Sequence, residues 1–85
     1  MKRTKFTYGQ LDKVLRGLGF SCRLDKKEPP ARVYEHKETG ALIALPAFPK
    51  RNKVLGYHLV AVRTTLDLNG IAEPSIFEAE LQKAG

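Results

Sequence analysis

The sequence predicts an α+β fold of order α-β-β-β-α, with a further short helix at the C-terminus. Its three strands form an antiparallel sheet, and the helices pack on one face of it. Three observations carry this expectation. Leu11, Val14, Leu15 and Leu18 recur at helical spacing behind a capping signal. Leu55, Leu59, Val62 and Leu66 repeat that spacing before Asn69-Gly70. Between these stretches lie three short runs of strand character joined by turns, and helices flanking such a meander cover one face of it.

Thr7-Tyr8-Gly9-Gln10 is a capping box, in which the Thr7 hydroxyl and the Gln10 side chain satisfy each other's backbone amides. Asp12, Lys13 and Arg16 fall on the wet side of the helix that follows. Gly19 is placed to end the helix in a left-handed conformation, with Phe20 packing back. Phe20, Cys22 and Leu24 then alternate with Ser21, Arg23 and Asp25, which predicts a strand with one core face. Residues 25–30 form a charged loop ending in two prolines.

The central strand covers 31–37. Side chains alternate along it, so Arg32, Tyr34 and His36 share one face and Ala31 and Val33 the other. A cation, a phenol and an imidazole in one row suit contact with nucleic acid, and a solvated outer face accounts for them equally well. After the turn Glu38-Thr39-Gly40, residues 41–45 are apolar at every position, which predicts the best-covered strand. Pro46 and Pro49 end it. Lys50, Arg51 and Lys53 precede a helix predicted over 54–68, where cations beside exposed helix amides would make a phosphate site. Pro74, the box Ser75-Ile76-Phe77-Glu78 and the pair Phe77 and Leu81 predict the last helix over about 75–83.

At 85 residues the chain is expected to form a single domain, 1–85, with its core between about 7 and 71. The net charge of +6 points to an acidic partner, RNA or DNA before a membrane surface, since no basic amphipathic helix is evident. Only Arg63 and Lys83 are basic beyond residue 53, so a binding side and a non-binding side are expected. Cys22 is the only cysteine, which excludes an internal disulfide and suits a reducing, cytoplasmic setting. No stretch approaches membrane-spanning length, no signal-peptide h-region follows the charged N-terminus, and no membrane partner is expected. His36 and His58 with one cysteine give no metal-ligand spacing, there is no Gly-rich phosphate loop, and no cofactor is expected.

The residues named so far resemble those of the HicA-type (YcfA-like) toxins, small endoribonucleases of toxin-antitoxin pairs. The resemblance spans about 7–71 and rests on Gly19-Phe20, the Ala31-Arg32-Val33-Tyr34-Glu35-His36 strand, Leu45-Pro46 and Asn69-Gly70-Ile71. It implies a fold like the double-stranded-RNA-binding domain, action on RNA, and neutralisation by a HicB-like antitoxin. In that family the catalytic histidine closes a Gly-Ser-His triplet opening the second strand. Pro29, Pro30 and Ala31 stand there in this chain, so the family's acid/base is missing. Many members also carry a histidine shortly after the strand-ending proline, where this chain has Phe48.

The expectation is a small basic RNA-binding domain without nuclease activity, acting on structured RNA. Its contacts are Arg32 and Tyr34 on the open sheet face and Lys50, Arg51 and Lys53 at the helix start, supported by Lys13 and Arg16. Two alternatives stand beside it. One is an active mRNA interferase in which His36 is the acid/base; the other is a protein-interaction module, with homodimerisation through a sheet edge also open.

Overall fold

The computed structural model describes residues 3–84. In chain order the elements are β1 (Arg3–Thr7), α1 (Tyr8–Gly17), β2 (Phe20–Asp25), β3 (Ala31–His36), β4 (Ala41–Pro46), β5 (Lys53–Leu55), α2 (Gly56–Leu68) and α3 (Pro74–Lys83). The fold is α+β. β2, β3 and β4 form an antiparallel sheet with β3 in the centre, and β1 and β5 form a separate two-stranded antiparallel ribbon. α1 packs against β2 and α2 against β4, while α3 packs against both helices. Among the described residues no helix is long and apolar enough to cross a membrane.

The start and end of α1 follow their local sequence. Gln10 N–H donates to the Thr7 hydroxyl at 3.1 Å and Thr7 N–H to the Gln10 side-chain oxygen at 2.8 Å, which completes the capping box. At the other end Gly19 takes φ +98° and turns the chain into β2. Leu11 and Leu15 are wholly buried, each contributing about 2 kcal/mol through the apolar surface it removes from water. The same core holds Phe6, Phe20, Ile43, Leu45, Val54, Val62 and Leu66. Phe77 and Leu81 of α3 join it as a buried i, i+4 pair, so the core reaches beyond residue 71.

Register decides which face of the sheet the core takes. Phe20 pairs with His36 and His36 with Ala41; Cys22 pairs with Tyr34 and Tyr34 with Ile43; Leu24 pairs with Arg32 and Arg32 with Leu45. Directly opposed residues point to the same side. Phe20, Ile43 and Leu45 therefore carry Tyr34 and His36 onto the helix-covered face, against the expectation that Arg32 and Tyr34 lie on the open one. The open face holds Val33, Leu42 and Ala44 with the exposed ion pair of Arg23 and Glu35 at 3.9 Å. β4 alternates rather than being covered on both sides: Ile43 is buried, whereas Leu42 is 59% exposed.

Two boundaries also differ from the expected ones. Residues 53–55 pair with β1, so α2 begins at Gly56 and not at Val54. β1 alternates Arg3 and Lys5 outward with Phe6 inward, a pattern too short and too charged to stand out in the sequence. α3 starts with Pro74 in its first turn and Glu73 as N-cap, and no side chain caps it, so the box at Ser75 does not form.

Gly19 links the backbone to the packing. A Cβ there would come within 3.3 Å of His36 Nε2, in addition to the strain of a positive φ. Gly19→Ala is expected to destabilise the fold by about 1–2 kcal/mol, more than Gly40→Ala, whose Cβ would meet nothing within 4 Å. Urea denaturation of the two variants checks this. Equal midpoints would remove the His36 contact from the account.

Candidate nucleic-acid interface

Asp12 stands at the centre of the polar contacts between α1 and the sheet. Its spacing places it on the wet side of α1, yet it is only 7% exposed. One carboxylate oxygen accepts a hydrogen bond of 2.8 Å from the hydroxyl of Tyr34, which is itself 1% exposed. The other accepts from Arg16 Nε at 3.0 Å and lies 3.5 Å from Lys50 Nζ. Arg16 reaches it because residues four apart share a helix face. Lys50 reaches it because Gly9 N–H donates to the Lys50 carbonyl at 2.9 Å, clamping the loop onto the start of α1. A Cβ at Gly9 would lie 3.2 Å from that carbonyl oxygen, so a bare backbone permits the approach.

The titration of these groups follows from the contacts. Burial acts to raise the Asp12 carboxyl, but hydrogen bonds from Tyr34 and Arg16 and the charges of Arg16 and Lys50 outweigh it and hold the group below its ordinary value. Burial, reinforced by the adjoining carboxylate, pushes the Tyr34 phenol upward. Asp12 keeps Arg16 protonated in turn.

Arg32 lies on the same sheet face as Tyr34, and its Nη1 donates to the Phe48 carbonyl at 2.8 Å. From there residues 48–55 run as a spine across one side of the molecule. Tyr8 N–H donates to the Asn52 carbonyl at 2.9 Å, Lys53 Nζ to the Lys5 carbonyl at 3.0 Å, and Arg3 Nη1 to the Lys53 carbonyl at 2.6 Å. A carbonyl acceptor leaves the cation's charge in place. Arg51 is exposed and forms no ion pair among the described residues. Arg3, Lys5, Arg16, Arg32, Lys50, Arg51 and Lys53 thus lie along or against the spine, and Asp12 is the one carboxylate among the described residues that pairs with any of them.

The expected contacts sort accordingly. Arg16, Tyr34 and Lys50 meet on Asp12, with Arg32 beside them, while Tyr34 holds the fold together and is closed to a ligand. Arg51 and Lys53 lie on the spine before and within β5, not at the start of α2. Lys13 sits apart, lining a groove between α1 and α3 with Glu80 and Lys83. Sequence reasoning misses Asp12 as a hub, and its i, i+4 spacing to Arg16 is the signal that could have found it. No family model, characterised protein or solved structure matches the chain.

His36, the expected acid/base candidate, is buried and held at both ring nitrogens. Ala41 N–H donates to the Thr39 hydroxyl at 3.2 Å, which leaves that hydroxyl's proton for His36 Nδ1 at 2.9 Å. Nε2 then donates to the Leu18 carbonyl at 3.2 Å. The imidazole ties the β3–β4 turn to the end of α1. An open cleft of about 440 Å³ beside it is lined by Glu38 and by no cation, which suits no phosphate.

Removing the Asp12 carboxylate leaves a buried hydroxyl without its acceptor. Asp12→Ala is expected to cost about 2 kcal/mol or more, and Asp12→Asn, which keeps an acceptor, less. Because the folded carboxyl titrates below its unfolded value, its contribution is full above the ordinary value of 3.8 and is lost as pH falls through the folded value. Asp12→Asn should therefore show a shallower loss of stability on acidification than the wild type. Parallel acid limbs in pH-dependent thermal denaturation would contradict this.

Proposed function

We propose that the chain binds RNA through the cations along residues 48–55 and the residues packed against them. One observation carries the reading: seven cations lie together with a single buried carboxylate among them, although the whole chain contains nine acidic residues. Elsewhere among the described residues Arg23 meets Glu35, Lys27 meets Asp25 and Lys83 meets Glu80, each cation with an acid of its own, while Lys13, Lys26, Lys37 and Arg63 form no ion pair. A polyanion gains from such a band by releasing its condensed counterions, and the gain shrinks as salt rises. Phosphate contacts of this kind hold a nucleic acid in register without reading its sequence.

The resemblance to HicA-type toxins belongs to the same proposal. The run α1-β2-β3-β4, followed after the short β5 by α2, together with Gly19-Phe20 and Leu45-Pro46 supports descent from such a fold, and Ala31 in place of the triplet histidine supports a binding domain without the family's cleavage chemistry. His36 offers no substitute, since an acid/base must present a nitrogen to the substrate and both of its nitrogens are engaged. His36→Ala is expected to lower the melting temperature and leave the integrity of incubated RNA unchanged. RNA degradation by the wild type that disappears in this variant would establish the nuclease instead.

Fluorescence anisotropy with a labelled RNA tests the binding itself. Affinity should fall steeply between low and moderate salt. A Lys50→Ala/Arg51→Ala/Lys53→Ala variant should bind more weakly and reduce the slope of log affinity against log salt by about 1 for each phosphate it no longer neutralises. An unchanged slope and affinity would move the site elsewhere on the molecule. No binding by the wild type at low salt would end the proposal.

A further inference from the structure

The spine of cations leads into an aromatic pair at the start of α2. Tyr57 is 51% exposed, and its ring centroid lies 4.3 Å from that of His58, with the planes inclined by 54°. Its side chain makes no hydrogen bond among the described residues, so its hydroxyl and the outer part of its ring are left to solvent. His58, in contrast, is set from behind. Leu55 N–H donates to the Tyr8 hydroxyl at 3.2 Å, which leaves that hydroxyl's proton for His58 Nδ1 at 2.8 Å. In the tautomer in which the Tyr8 hydroxyl donates, the imidazole's own proton sits on Nε2. That atom has no protein partner, and among the described residues no buried side-chain nitrogen or oxygen lacks one, so Nε2 faces solvent as a donor.

The surroundings are basic. No residue of β1, of β5 or of α2 before Asp67 is acidic. Arg3 approaches His58 closely enough for its charge to help lower the imidazole pKa, an effect to which burial contributes more. Arg3 and Lys53 are linked across the ribbon, and Tyr8, edge-on to Phe48 with centroids 5.6 Å apart, forms the floor of the arrangement.

An open ring face, a neighbouring donor and flanking cations match the parts of one nucleotide: a flat base, its carbonyl acceptors and the adjoining phosphates. We propose that Tyr57 and His58 form a stacking subsite for an unpaired nucleobase, with Arg3 and Lys53 on its phosphates. The RNA held along residues 48–55 is then single-stranded where it crosses the start of α2. This inference rests on the RNA-binding reading above and specifies its substrate. A duplex keeps its bases stacked and paired inside, and so has no ring face to offer Tyr57. An apolar protein segment would use the ring but neither the donor nor the cations.

The test compares oligo(U) with the oligo(A)·oligo(U) duplex. The wild type should bind the single strand more tightly at equal salt. Tyr57→Ala should weaken binding of oligo(U) about tenfold and leave the duplex unaffected, whereas Tyr57→Phe should retain the affinity. Tyr57 lies outside the core, so circular dichroism should be unchanged in both variants. The chain has no tryptophan, so the part of the tyrosine emission that RNA quenches in the wild type and not in Tyr57→Phe reports Tyr57. Equal affinity of Tyr57→Ala and wild type for oligo(U), with binding still weakened in the Lys50/Arg51/Lys53 alanine variant, would overturn the subsite and leave the cationic reading standing. Failure of the wild type to bind either RNA would overturn both.

Discussion

Tyr34 stands at the middle of the central strand, and its hydroxyl is satisfied by a carboxylate from the helix above it. Much of the architecture depends on this hydrogen bond. It fixes the position of α1 over β3, and through the second oxygen of Asp12 it also fixes Arg16 and Lys50. A buried ionised group is tolerated only when each of its oxygens finds a donor, and here both do. The cost of burying Asp12 is thus offset by an arrangement that gathers positive charge at the helix–sheet junction. Structure and surface charge meet in one residue.

The elements with strong local signals are legible in the sequence. The capping box of α1, the left-handed Gly19 and the meander of β2, β3 and β4 follow from nearest neighbours along the chain. What is not legible depends on pairing. The facing of Tyr34 and His36 is a consequence of register with Phe20 and Ile43, and alternation within one strand leaves the two faces equivalent. β5 has three residues, and its partner lies at the far end of the sequence, so helical spacing through Leu55 and Leu59 absorbs it.

The candidate site divides in the same way. Charge asymmetry along the sequence indicates a basic side, and Arg16, Arg32 and Lys50 do come together. Their meeting point, Asp12, belongs by spacing to the solvent face of α1, because a helical pattern cannot foresee a tyrosine reaching up from a strand. Tyr57 carries no signal of its own. It gains meaning from Tyr8, which lies some fifty residues away in sequence and holds the adjacent imidazole.

The ribbon of β1 and β5 has a consequence for how the molecule comes into being. The meander joins neighbours in sequence, whereas Arg3 and Lys53 are separated by 50 positions and must close a loop containing most of the fold. Local contacts form quickly, and distant ones wait until the intervening chain is compact. The basic spine is anchored at β5 and bridged to β1, so it takes shape only once that long loop has closed. A partly folded chain would carry the same charges dispersed, so the proposed hold on a polyanion would require the completed native state.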